Sequence, residues 1–313
     1  MDKGSKIFVA GHNGLAGSAI VRKLHQQGYN NLVLRSSKEL DLREKSDVFK
    51  FFKSEIPEYV FFAAGTVGGI MANITYPADF IFNNTAMIFN TVDAAYKTNV
   101  KKLLYLGSSC IYPKLSAQPI KEEYLLTGPL EETNKPYALA KIAGIELCAA
   151  YNKQYDTNYI ALMPTNLFGI KDNYDRQNSH LVAALIRKFY EAKINNSPFV
   201  ELWGSGTPKR EILSSDQLAD ACVYFMNHYD GKEVVNIGKG EDYMIKEIAD
   251  MIKNISGYEG EIKYDASKPN GNMKKQLDIS KAKELGWTSN SNTLEDLKIS
   301  FEDFVENYST YTL

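Results

Sequence analysis

Long apolar runs, a surplus of charge of one sign and a cysteine framework are all missing from these 313 residues. No stretch reaches the ~18 apolar residues that a membrane-spanning helix needs. Lys and Arg number 36 against 38 Asp and Glu. A dedicated nucleic-acid binder usually carries a strongly basic face, so that near balance argues against one. Three cysteines, Cys110, Cys148 and Cys222, are too few for a disulfide scaffold and fit free thiols in a reducing compartment. Repeats, low-complexity tracts and flexible linkers are also lacking. The opening MDKGSK meets an apolar stretch, residues 7–10, too short for a signal-peptide core. The expectation is a soluble cytoplasmic protein. With 44 % hydrophobic and 24 % charged residues it is an ordinary globular chain, long enough for two domains or one large one.

What is present is alternation. Short apolar runs at 6–10, 32–35, 59–64, 103–107, 159–164 and 234–238 are separated by stretches of helical length such as 18–27 and 78–98. The runs are almost continuously apolar, as in strands covered on both faces, which are usually parallel. This predicts an α/β fold, a Rossmann-type doubly wound parallel sheet. Beyond Asn166 the pattern weakens. A helix over 180–192, a strand over 200–204 and a helix over 214–228 are expected. From Glu241 onward two helices and one strand, 261–264, are expected, forming a smaller α/β C-terminal domain.

The first strand runs into Ala10-Gly11-His12-Asn13-Gly14-Leu15-Ala16-Gly17 and then a helix. Glycines at every third position allow a tight turn, close backbone approach to a pyrophosphate, and close helix–strand packing. The helix N-terminus then offers free N–H groups to the phosphates. After the second strand come Arg35-Ser36-Ser37-Lys38, where an NAD enzyme usually carries Asp or Glu for the ribose 2′-hydroxyl. Cations there would attract a 2′-phosphate, so NADP(H) is the expected cofactor, bound through Arg35, Ser36 and Lys38. Asp41 and Leu42 follow, where adenine should lie.

The fourth strand ends in Gly107-Ser108-Ser109-Cys110. Ser108 and Cys110 are two apart, and extended backbone would aim both at one side. Tyr137 and Lys141 are four apart at a helix start, hence neighbours on one face. The Lys141 ammonium is expected to lower the phenol pKa so that Tyr137 can exchange a proton near neutrality. Serine, tyrosine and lysine beside a nicotinamide make a site for hydride transfer between ketone and alcohol. Cys148 and Cys222 sit in apolar helical stretches and read as core.

These residues give the chain its likeness. It resembles the extended short-chain dehydrogenase/reductase superfamily and, within it, the family of GDP-L-fucose synthases (GDP-4-keto-6-deoxymannose epimerase-reductases). The segments carrying the likeness are AGHNGLAGSAI (10–20), VGGIMANITYPADFI (67–81), LGSSCIYPKLSAQPI (106–120), KPYALAKIAGIELC (135–148), MPTNLFG (163–169), NSHLVAALIRKF (178–189) and WGSGTPKRE (203–211).

The resemblance implies that Cys110 removes protons from C3 and C5 of the sugar and that His180 returns them on the other face. It implies cofactor contacts from Ala64, Pro164, Asn166, Leu167 and His180, beside Tyr137, Lys141 and the glycine loop with Asn13 and Leu15. For the nucleotide sugar it implicates Ser108, Asn166, Lys188, Trp203 and Arg210. It also implies a homodimer through helices near 84–98 and 137–153, with no membrane or nucleic-acid partner. The domains would then be 1–169 plus 211–239 for NADP and 170–210 plus 240–313 for the sugar nucleotide. Departures exist: Asn13 and Ser37 stand where the family has arginines, and Thr66 stands where it has lysine. A GDP-4-keto-hexose or GDP-4-keto-heptose C4-reductase without epimerase activity is therefore the alternative. A 4,6-dehydratase would want an acid beside the serine, where Ser109 and Cys110 stand. A non-catalytic NADP sensor need not keep Ser108, Tyr137 and Lys141.

Overall fold

All six apolar runs become strands of one sheet. In the computed structural model, which describes residues 1–176, 178–268 and 270–311, the chain opens with β1 (Ile7–Ala10), α1 (Leu15–Gln26), β2 (Leu32–Val33), α2 (Lys45–Glu55) and β3 (Tyr59–Phe62). Then follow α3 (Ile70–Thr75), α4 (Pro77–Lys97), β4 (Lys102–Leu106), α5 (Lys135–Tyr155) and β5 (Tyr159–Pro164). After β6 (Asn166–Phe168), α6 (Leu181–Ile194), β7 (Phe199–Trp203), β8 (Lys209–Arg210), β9 (Ile212–Ser214) and α7 (Ser215–His228), the chain returns to the sheet as β10 (Val235–Ile237). The tail holds β11 (Tyr243–Met244), α8 (Ile245–Ser256), β12 (Glu261–Asp265), β13 (Lys274–Lys275), α9 (Ser280–Glu284) and α10 (Thr293–Glu306).

The main sheet runs β10-β5-β4-β3-β1-β2, and its pairs are parallel. The chain reverses its direction of winding between β1 and β3. In such sheets a crevice opens there, beyond the carboxyl ends of the strands.

The burial pattern explains the unbroken apolar runs. Phe8, Phe62, Leu103 and Tyr105 point to one side, against Val48 and Phe52 of α2, Ile88 and Val92 of α4, and Ile145 and Cys148 of α5. Ile7, Val9, Phe61, Leu104 and Leu162 point to the other, against Ile20 and Leu24 of α1 and Leu218, Cys222 and Phe225 of α7. Alternate residues thus serve opposite helical layers. Each such side chain contributes about 1.5–3 kcal/mol when fully buried. A third cluster joins α6, α8 and α10 through Leu185, Phe189, Ile248, Ile252, Leu297 and Phe304, with Val200 and Leu202 of β7.

Cys148 and Cys222 are buried in these layers, as expected of core thiols. The tail differs from expectation: it has three helices rather than two, and short strands β11 and β13 flank β8. Among the described residues no helix is long and apolar enough to cross a membrane.

Candidate active site

The turn after β1 is built as its glycines require. Gly11 adopts φ +82°, and a Cβ there would lie 2.7 Å from the Ala64 nitrogen at the end of β3. A Cβ on Gly17 would collide with the Gly11 carbonyl. Gly14 is the N-cap of α1 and supplies no side-chain cap, so first-turn N–H groups remain available to an anion. Asn13 is exposed and Leu15 half-buried at this lip. The cradle fits a dinucleotide pyrophosphate. His12 sits between Glu39 and Lys171; burial lowers its pKa most, Glu39 opposes this and Lys171 adds to it.

The end of β2 is more self-satisfied than the sequence suggests. Arg35 donates to the Glu55 carboxylate at 2.6 Å and to the Leu34 carbonyl at 2.9 Å. The Ser36 nitrogen and hydroxyl both donate to Glu39, each at 2.7 Å. Lys38 is exposed. Asp41 is held below the usual carboxylate range by hydrogen bonds from Arg43. The Leu42 side chain is buried in the core beneath, so at most its backbone faces the crevice.

Ser108 and Cys110 do share a mouth, but not through extended backbone. The chain turns into a 3-10 helix over Ser109–Ile111, and Ser108 is its N-cap, accepting from the Cys110 N–H at 3.2 Å. A serine caps well because its oxygen meets the free first-turn donors. Pro136 lies in the first turn of α5, which carries Tyr137 and Lys141 on one face as their spacing predicts. Lys141 is buried, donates to the Leu106 carbonyl at 2.8 Å, and lies 5.7 Å from the centre of the Tyr137 ring.

The expected lowering of the phenol pKa is not what this geometry gives. Burial pushes Tyr137 up, the nearby Cys110 charge adds to this, and a hydrogen bond with Ser108 opposes it. Burial brings Lys141 down to about 8, opposed by Cys110. The hydroxyl is therefore a proton donor in the free protein, kept neutral by its dry surroundings.

His180 is the N-cap residue of α6 and opens to solvent. Its loop leans on the glycines after β3, where the Gly69 N–H donates to the Asn178 carbonyl at 3.0 Å. Burial by neighbouring chain lowers its pKa. Pro164 ends β5 and Asn166 and Leu167 begin β6; the Asn166 amide donates to the Glu211 carbonyl at 2.8 Å.

On the sugar-nucleotide side the named residues are scattered over α6, β7 and β8. Lys188 donates to the Glu201 carbonyl at 3.0 Å. Trp203 is 62 % exposed, with the Lys268 ammonium over its indole ring, 5.7 Å from the ring centre. Arg210 is partly buried and donates to the Lys209 and Asn272 carbonyls at 2.8 and 2.6 Å; burial lowers its pKa.

Three supporting groups were not singled out as site residues. The fully buried Glu211 carboxylate accepts from the Gly240 and Leu277 N–H groups at 2.7 and 2.8 Å. Burial raises its pKa, and the Leu277 and Gly240 bonds oppose this. Asn236 accepts from the Tyr112 hydroxyl at 2.6 Å and donates to the Ile120 and Asp278 carbonyls at 3.0 and 3.2 Å, fastening the loop behind Cys110 to β10. Lys275 donates to the Cys110 sulfur at 3.7 Å. Only the stretch around Glu211 was visible in sequence, as part of a motif.

Comparison with known proteins agrees with this arrangement. Residues 7–238 match the model of the NAD dependent epimerase/dehydratase family. The putative GDP-L-fucose synthase 2 of Arabidopsis thaliana is 53 % identical, over 98 % of this chain and 94 % of that one. The GDP-L-fucose synthase of Escherichia coli K12 is 46 % identical, over 98 % of each. Among solved structures, the NADP-bound GDP-mannoheptose C4 reductase from Campylobacter jejuni superimposes with a TM-score of 0.91 at 40 % identity, over 97 % of this chain and 99 % of that one. A glycine-cradled helix N-terminus, a serine–tyrosine–lysine set at the end of β4 and full-length kinship lead to one conclusion: the chain belongs to the NAD dependent epimerase/dehydratase family, within the group of GDP-L-fucose synthases and their relatives.

Proposed function

We propose that the chain reduces the C4 ketone of a GDP-4-keto-6-deoxy sugar with NADPH and epimerises C3 and C5, as a GDP-L-fucose synthase does. The observation that carries this reading is the meeting of Ser108, Cys110, Tyr137 and Lys141 at one strand end, in a chain 46–53 % identical over almost its whole length to enzymes of that name.

The dinucleotide is held by the glycine loop 11–17, by the β2 end at Arg35, Ser36 and Lys38, and by Asp41, Leu42, Ala64, Pro164, Asn166, Leu167 and His180. When bound, NADPH supplies the hydride that C4 accepts. The 2′-phosphate would compete with Glu55 for Arg35 and with Glu39 for Ser36, the anions those groups already hold.

Residues 1–169 plus 211–239 form the cofactor domain and residues 170–210 plus 240–313 the sugar-nucleotide domain. Arg210 takes the diphosphate through its guanidinium fork. Trp203 covers an apolar face of the ligand, and Lys188 adds charge.

The chemistry follows from carbon acidity. C3 and C5 each flank the C4 ketone. Cys110, as thiolate, takes the proton; the C–H electron pair moves into the carbonyl, and an enolate forms. Ser108 and Tyr137 donate hydrogen bonds to its oxygen. His180 returns a proton to carbon from the opposite face. In the reduction Tyr137 gives its proton to the C4 oxygen, and the buried Lys141 ammonium offsets the charge left on the phenol.

A cytoplasmic setting suits the three free thiols. Two copies associate through α4 and α5, where Phe82, Phe89 and Leu139 stand exposed.

A second reading, C4 reduction of a GDP-heptose without epimerisation, is favoured by the likeness to the Campylobacter jejuni reductase. Incubation with GDP-4-keto-6-deoxymannose and NADPH in heavy water, followed by NMR of the product, decides between them. Deuterium at C3 and C5 is expected. Reduction without deuterium gives the second reading, and no NADPH consumption with either keto sugar sinks both.

A further inference from the structure

Lys275 is the one lysine of its strand with no carboxylate. On β13 its neighbour Lys274 pairs with Asp242 at 3.3 Å, as does Lys209 opposite it on β8, at 3.4 Å. Side chains alternate along a strand, and residues directly across a ladder share a face. Lys275 therefore lies on the other face, beside its partner Arg210. Among the described residues no carboxylate pairs with Lys275. Its ammonium instead donates to the Cys110 sulfur, 165 residues away in sequence.

The position is imposed rather than accidental. The Glu211 N–H donates to the Lys275 carbonyl at 3.2 Å, and the Glu211 carboxylate accepts from Leu277 two residues on. The strand carrying Lys275 is thus clamped by the residue that follows Arg210. On the other side, the Cys110 backbone is fixed by the Ser108 cap.

We propose that Lys275 is a further residue of the epimerisation chemistry, the cation that holds Cys110 as a thiolate while it attacks carbon-bound hydrogen. The inference deepens the functional reading above and rests on it for the carbon acid. The step balances without another reagent. The thiolate takes a proton from C3 or C5, the electron pair enters the ketone, and the ammonium keeps its proton and its hydrogen bond to sulfur throughout. The charged and titratable groups facing the sulfur are Lys275, Lys141 and Tyr137. Lys114 and Glu131 form a pair at 3.0 Å in the neighbouring wall. A cavity of about 60 Å³ touched by Cys110, Gln118, Glu131, Asn272 and Lys275 leaves room for water to carry off the thiol proton before the second abstraction.

The test uses the full-length protein with Lys275→Gln, which keeps a donor and loses the charge, and Lys275→Arg, which keeps both. The first readout is the rate of Cys110 alkylation by iodoacetamide against pH, located by mass spectrometry; Cys148 and Cys222 are buried and serve as internal controls. Loss of the charge is expected to move the midpoint up by about one pH unit, an alkylation about tenfold slower near neutrality. Lys275→Arg should restore it. The second readout is the ratio of deuterium entry at C3 and C5 to NADPH oxidation on an already epimerised 4-ketone, expected to fall in Lys275→Gln and to recover in Lys275→Arg. An unmoved alkylation midpoint in Lys275→Gln overturns the assignment. A moved midpoint in a protein that never deuterates its substrate leaves Lys275 as the thiolate's cation and removes the epimerase reading instead.

Discussion

Proton positions at three side chains decide what the crevice can do. In the proposed reaction Tyr137 is the donor to the C4 oxygen, because burial keeps its proton on. Tyr137→Phe removes that proton with little change of shape. Turnover of NADPH with a GDP-4-keto sugar should drop about 10²- to 10⁴-fold, the usual span for a lost general acid. A stopped-flow trace with wild-type rates would refute the role. Cys110→Ser separates the two halves of the chemistry: C4 reduction of an epimerised ketone persists, while solvent deuterium no longer enters C3 or C5. In the same proposed reaction Lys141 sets the alkaline limit. With its pKa brought to about 8, its charge is present below that pH and lost above it. The pH profile of kcat/KM for reduction should be flat below about 8 and fall about tenfold per pH unit beyond, since that profile reports the free enzyme. The same shift has a stability sign. An unfolded lysine keeps its proton to the ordinary 10.5, so between about 8 and 10.5 the unfolded chain binds more protons and this lysine's contribution makes stability rise with pH.

Secondary elements place these groups, and one tight helix-to-sheet contact is exposed to damage. Gly144 of α5 rests on the Tyr105 ring of β4: an added Cβ would lie 2.7 Å from the ring carbon and hydroxyl. Gly144→Ala forces the helix outward and should destabilise the protein by about 1–3 kcal/mol, as overpacking does, despite alanine's better helix propensity. A urea midpoint that rises would show that α5 has slack. This scale also shows what was readable in the residues alone. The six strands announced themselves because both faces of each are covered, leaving no polar positions to blur the run. The glycine loop and the Tyr137–Lys141 pair were legible because local geometry dictates them. The 3-10 turn at Ser109 was not, since two-residue spacing reads as extended until the Ser108 cap is seen. Nor was α9, five residues too short to show a period, or β13, whose two lysines look like a solvated surface pair. The Arg35–Glu55 ion pair joins residues 20 apart through the fold, and nothing at Arg35 itself predicts it.

For the whole molecule the pertinent surface is the one formed by α4 and α5. Phe82 and Phe89 stand 69 % and 40 % exposed on α4, and Leu139 40 % on α5. Spaced seven apart, the two phenylalanines share a helical face. Sedimentation should give a dimer for the native chain and a monomer for the double variant Phe82→Asp, Phe89→Asp. A native chain that sediments as a monomer at micromolar concentration removes the association.

Glu211 also constrains the order in which the molecule can be finished. Its carboxylate has no exposed surface, and its two backbone donors come from Gly240 and Leu277. During synthesis on the ribosome the acid emerges some sixty residues before its second donor, leaving an anion that must stay wet. Docking of the strand that bears Lys275 therefore waits until Leu277 has emerged, so the wall behind Cys110 closes only after every residue of the main sheet has been made.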